Sequence, residues 1–67
     1  MDDRLENRIR EERVRRGYTQ AQLAELVNVS RKTINTVENG IFIPSTVLAL
    51  RLAKALGTTV EELFLLR

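Results

Sequence analysis

The sequence predicts an all-α domain of five short helices, on three observations. Thr19, Ser30, Ser45 and Thr59 each stand just before a stretch whose apolar residues recur at helical spacing, as N-capping hydroxyls do. Gly17, Asn28, Asn39-Gly40 and Gly57 fall where such stretches end, the places where a chain needs a left-handed residue. With 67 residues, 43% of them hydrophobic, the chain can build one core only if nearly every helix contributes to it. We therefore expect a single domain over residues 1–67, organised around two helices and a tight turn at about 19–40.

The first helix is expected from about Leu5 to Arg16, with Leu5, Ile9 and Val14 near one face and Gly17 at its end. Arg4, Arg8, Arg15 and Arg16 read as solvated surface charges, one or two of them within reach of phosphate. Arg13 falls one turn after Ile9 on or beside the apolar stripe, where an unpaired guanidinium is costly. Glu38 is the best partner, so an Arg13 to Glu38 ion pair is expected to tie the first helix to the third.

Thr19 and Gln22 have the spacing of a capping box, in which the hydroxyl and the side-chain amide each satisfy an orphan backbone donor. Leu23, Ala24 and Val27 then share one face, and small Ala24 lets a second helix cross closely. Asn28 takes the left-handed turn position and Val29 plugs the turn. Ser30 caps the next helix, which turns Ile34 and Val37 inward and leaves Arg31, Lys32, Asn35, Thr36 and Asn39 on its outward face. These are donors and acceptors offered to something outside the chain.

Pro44 blocks helix and holds Ile43 extended before Ser45 caps a helix from about Thr46 to Leu56. Its buried stripe is Val47 or Leu48, with Leu52, Ala53 and Leu56; Gly57 is its C-terminal cap. A second capping box, Thr59 with Glu62, begins a last short helix with Val60, Leu63 and Phe64 as its apolar residues. Ile41, Phe42 and Ile43, and again Phe64, Leu65 and Leu66, exceed what so small a core needs. Local packing is one account of them; the other is burial against a second copy, with Phe42, Ile43, Phe64, Leu65 and Leu66 as a homodimer interface.

Composition narrows function. With no cysteine and no histidine, disulfides, zinc sites of the usual ligands and histidine acid/base chemistry are excluded. No apolar run approaches a membrane span and Met-Asp-Asp begins no signal peptide, so a cytosolic protein is expected, without cofactor, metal or evident small-molecule ligand. An enzyme is not expected: Asp2 and Asp3 lie in a terminus that should fray, and capping and the helix dipole account for Glu61 and Glu62. The net charge of +2 is too small to establish nucleic-acid binding by itself, so the distribution of charge matters more.

Taken in order, R-x-x-x-G-Y-T-Q from Arg13, L-A-E-L-V-N-V-S from Leu23, T-I-N-T-V-E-N-G ending at Gly40, Pro44-Ser45, and L-A-K-A-L-G from Leu52 resemble the lambda-repressor-like helix-turn-helix DNA-binding proteins of Cro and XRE type. The resemblance runs from about Leu5 to Phe64. It implies a third helix lying in the major groove, with Arg31, Lys32 and Thr36 at base-reading positions and Asn35 a neighbour that reaches bases or backbone. It places Gln20, with Thr19 beside it, and the backbone around Asn39 and Gly40 at phosphate-clamping positions. For Gln20, simple helix capping is the competing account.

This chain departs from the usual pattern in holding Asn28 at a turn position commonly glycine, Ile41 and Ile43 at loop positions commonly basic or polar, and Leu26 where lysine is common. The implied function is sequence-specific binding of double-stranded DNA by a dimeric transcriptional regulator, a repressor in the commoner mode. The alternative is an antitoxin or adaptor whose apolar loop and tail bind another protein.

Overall fold

A computed structural model describes residues 3–67, so that Met1 and, of the expected frayed pair, Asp2 lie outside the described residues. The elements in chain order are β1 (Leu5–Asn7), α1 (Ile9–Arg15), α2 (Gln20–Val27), α3 (Arg31–Glu38), α4 (Thr46–Ala55), α5 (Val60–Leu63) and β2 (Phe64–Leu66). The five helices are those expected. Each contributes to one core, through Ile9, Leu23, Ala24, Val27, Ile34, Val37, Leu48, Leu52, Ala53 and Leu63, with Leu56 just past α4. α2 is the central helix and packs on both α3 and α4.

The caps explain why the helices begin where they do. The Thr19 hydroxyl accepts from the Gln22 amide at 3.0 Å while the Gln22 side chain accepts from the Thr19 amide at 2.8 Å, a complete capping box. Ser30 and Ser45 accept from the amides of Thr33 and Leu48, both at 3.1 Å. The box expected at Thr59 is only half formed: its hydroxyl accepts from the Glu62 amide, but the Glu62 carboxylate turns to the hydroxyls of Thr58 and Thr59. Between α2 and α3, Asn28 has φ +60°, the left-handed turn that redirects the chain.

Three details of the helices differ from expectation, and in α4 one of the two alternatives holds. α1 begins at Ile9 rather than Leu5, because the Asn7 side-chain oxygen Oδ1 accepts from the Ile9 amide at 3.1 Å and starts the helix there. Leu5 instead lies in an antiparallel ribbon that pairs Leu5 with Leu66, Glu6 with Leu65 and Asn7 with Phe64. Phe64 is therefore a strand residue, not part of the last helix, and it packs half-buried against the core. Val14 is 62% exposed, since it sits about 140° around the helix from Ile9 while Arg13 takes the inward direction. In α4 it is Leu48 that is buried, and Val47 faces out.

The left-handed turn yields a stability test by urea denaturation. Asn28→Gly should lie within about 0.5 kcal/mol of the native protein, whereas Asn28→Val should destabilise it by about 1 to 2 kcal/mol.

Candidate nucleic-acid interface

The exposed side of α3 is set by what its inner side is tied to. Arg13 and Glu38 meet: Nε donates to Oε2 at 2.6 Å and Nη2 to Oε1 at 3.3 Å, while Nη1 donates to the Tyr18 carbonyl at 3.0 Å. The Glu38 side chain has no solvent-exposed surface. Gln20 Nε2 also donates to its Oε1 at 3.2 Å, and Arg10 Nε lies 3.5 Å from the same oxygen. One carboxylate on α3 is thus satisfied by donors from α1 and α2.

Burial alone would push the Glu38 carboxyl above its ordinary range, but hydrogen bonds from Arg13 and Gln20, the Arg13 charge and a hydrogen bond from Arg10 outweigh it. The net effect holds the pKa below the ordinary value. A depressed carboxyl pKa contributes stability that is present above the unfolded-state value and lost as pH falls through the folded-state value.

A second tie lies at the same end of α3. Asn7 Nδ2 donates to the Val37 carbonyl at 2.9 Å, joining β1 to the C-terminal turn. Sequence reasoning passed over Asn7, whose one visible signal was an Asx residue two before Ile9. Beyond Val37 the amides of Asn39, Gly40 and Ile41 donate back to Asn35, Val37 and Thr36 carbonyls, closing α3 on the left-handed Gly40.

Against this frame the expected contact residues separate. Arg31 and Lys32 are exposed on the first turn of α3. Neither has an acidic partner among the described residues, which is equally true of Arg8, Arg16, Arg51 and Lys54; what sets Arg31 and Lys32 apart is their place on the first turn of α3. Arg31 and Lys32 also stand beside their own backbone amides, which, like those of Gln20 and Ala21 opening α2, donate to no described group. Asn35 is exposed. Thr36 is half-buried, and its hydroxyl donates to the Thr33 carbonyl at 2.9 Å, which leaves only its oxygen lone pairs and methyl for an outside partner.

The phosphate-clamping expectations fare unevenly. The Thr19 hydroxyl proton is free, since the oxygen is only an acceptor in the capping box. Gln20 Nε2 is not free, because its two protons go to Asn35 and Glu38. The amides of Asn39 and Gly40 are occupied within α3. The apolar groups also divide: Phe42 and Ile43 are exposed with Ile41 and Leu66, but Phe64 and Leu65 are half-buried in the ribbon. Leu26 is exposed.

No group of acidic residues that could hold a metal ion occurs among the described residues, and no described helix is long and apolar enough to cross a membrane.

A helix-turn-helix family model matches residues 9–63. The chain is similar to YgzD, an uncharacterised HTH-type transcriptional regulator of Bacillus subtilis, at 40% identity over 60 residues, covering 90% of this chain and 91% of that protein. It is 49% identical over 59 residues to another HTH-type transcriptional regulator, from Methanothermobacter thermautotrophicus, covering 87% and 86% respectively. Among solved structures it is similar to the restriction-modification controller protein C.AhdI from Aeromonas hydrophila, with TM-score 0.76 and 37% identity over 81% of this chain and 82% of that one. It is also similar to the clp gene regulator ClgR from Corynebacterium glutamicum, with TM-score 0.74 and 33% identity over 78% of this chain, which spans 55% of ClgR.

The geometry around Glu38 sets a test by thermal unfolding. Glu38→Ala leaves the Arg13 guanidinium without its carboxylate and should destabilise by about 3 kcal/mol, lowering Tm by more than about 10 °C. In the native protein Tm should fall as pH drops below the ordinary carboxylate range, and Glu38→Gln should flatten that acid limb.

Proposed function

The chain belongs to the helix-turn-helix family of DNA-binding transcriptional regulators, and from that premise we propose that it is a sequence-specific repressor, bound as a homodimer to a palindromic operator with α3 in the major groove. The observation that carries this reading is the placement of two exposed cations, Arg31 and Lys32, with no acidic partner among the described residues, beside the free amides that open α3. Cations with free helix-terminal amides suit an anionic polymer whose base edges offer acceptors, above all guanine O6 and N7.

Arg31 and Lys32 are the primary base readers, with Asn35 and the Thr36 methyl beside them. Phosphate falls to the Thr19 hydroxyl and the backbone amides of Gln20 and Ala21, supported by the N-terminal dipole of α2. Asn39 contributes only through the second proton of its Nδ2, since the first goes to Asn35 and the backbone amides of Asn39 and Gly40 are already bonded. Binding then occludes the polymerase site, which is repression in its simplest form.

The homodimer reading is supported by the loop after α3, where Ile41 is 76% and Ile43 71% exposed, with Phe42 between them. An apolar groove of about 280 Å³ lies nearby, lined by Leu5, Pro44, Ala49, Leu50, Val60 and Phe64. An isologous contact here places two copies of α3 on one face of a duplex, about one helical turn apart. Phe42, Ile43 and Leu66 supply exposed surface for it, Phe64 lines the groove, and Leu65 belongs mainly to the ribbon.

Selection of bound oligonucleotides from a random pool tests the function. It should return a palindrome with half-sites about 10 base pairs apart, and Arg31→Ala should relax preference at one position by about 1 to 3 kcal/mol. An unchanged consensus for both Arg31→Ala and Lys32→Ala would contradict the reading. For the dimer, Ile43→Asp should yield a folded monomer by sedimentation equilibrium; an unchanged mass, or release of a different co-purifying protein, would favour an adaptor.

A further inference from the structure

Glu38, Gln20, Asn35, Asn39 and Arg10 form a closed ring of side chains across α1, α2 and α3. Gln20 Nε2 donates to Glu38 Oε1 and to Asn35 Oδ1, both at 3.2 Å. Asn39 Nδ2 donates to the same Asn35 Oδ1 at 3.3 Å, and Asn39 Oδ1 accepts from Arg10 Nη2 at 3.2 Å. Arg10 Nε closes the ring 3.5 Å from Glu38 Oε1.

An amide can usually be turned over, exchanging its oxygen for its nitrogen. Here the ends of the ring forbid it. A carboxylate can only accept and a guanidinium can only donate. Glu38 therefore requires the Gln20 nitrogen, and Arg10 requires the Asn39 oxygen. Gln20 then presents a donor to Asn35 from one side and Asn39 presents a donor from the other. Both lone pairs of Asn35 Oδ1 are taken, and its Nδ2, which has no partner among the described residues, is left on the exposed face.

We infer that Asn35 is locked as a donor toward DNA, so that it takes an acceptor atom and is barred from the two-bond pairing with adenine that an asparagine normally makes. That pairing needs the asparagine oxygen to accept from adenine N6. The acceptor is guanine O6, the N7 of either purine or thymine O4 on a base, or a phosphate oxygen, and adenine gains no preference over guanine because its N6 finds no acceptor on Asn35. Gln20 acts through Asn35 as a positioning residue. This inference rests on α3 facing DNA, the reading proposed above.

The test compares native protein, Asn35→Ala and Asn35→Asp by titration against the selected operator and against every single-base variant of it. Asn35→Asp keeps the ring, because a carboxylate still accepts from Gln20 and Asn39, but removes the outward donors; unfolding curves confirm that each variant is folded. If the acceptor is a base, Asn35→Ala loses discrimination at one position by at least about fivefold. Asn35→Asp then transfers preference there to cytosine, whose amino group donates, and Gln20→Met lets adenine in. If it is phosphate, both Asn35 variants weaken every sequence by the same factor.

Adenine preferred by the native protein at the position that responds to Asn35 would overturn the inference, as would an Asn35→Ala protein with unchanged affinity and preference. Arg31→Ala in the same titrations separates this outcome from failure of the underlying reading. A response to Arg31→Ala with none to Asn35→Ala sinks only the locked donor, and silence from both sinks the placement of α3.

Discussion

A carboxylate without solvent exposure cannot stay ionised in a small protein unless strong donors surround it, and Glu38 recruits them from two other helices. The bidentate Arg13 contact fixes α1 against α3, and the Gln20 contact fixes the first turn of α2 against the last turn of α3. Satisfying one charge therefore sets the mutual placement of three helices. The apolar core beneath, with Ile34 and Val37 on one side of α3 and Ala24 allowing close approach from α2, supplies cohesion without direction. The polar ring supplies the direction.

That division of labour bears on function. A helix held on its inner side by hydrophobic contacts and along its flank by charge-assisted hydrogen bonds offers its outer face in one orientation, so little rearrangement is needed when a partner arrives. What it offers is also sorted. Among the described residues Arg31 and Lys32 have no ion-pair partner and the amides beside them remain open, while the other polar groups nearby, Gln20, Asn39 and the Thr36 hydroxyl, are largely committed to the protein itself. In the proposed reading few side chains are left to discriminate, and one of them, Asn35, is oriented from inside by Gln20 and Asn39.

Local signals in the sequence carried far. Capping hydroxyls act on amides three residues away, so Thr19, Ser30 and Ser45 mark their helices without knowledge of the fold. Arg13 was legible for a different reason: a guanidinium on an apolar stripe demands a carboxylate, and few candidates exist. The ribbon was not legible, because strands of three residues show no period and Leu5 meets Leu66 from the opposite end of the chain. That is why the first helix was expected too early and Phe64 was expected in a helix. The committed state of Gln20 was equally hidden. A glutamine at a helix N-terminus reads as a ready donor until Asn35 and Glu38, distant in sequence, are brought beside it.

The central claim is that a polar ring anchored on Glu38 holds α3 so that its Arg31 and Lys32 side meets base edges. A crystal structure of the protein on its selected operator duplex tests this most directly. The account predicts two protomers with α3 in successive major grooves, Arg31 and Lys32 within hydrogen-bond distance of base acceptors, and the Arg13 to Glu38 contact unchanged. A complex in which α3 faces away from the duplex, or in which Glu38 releases Arg13 to engage DNA, would contradict it.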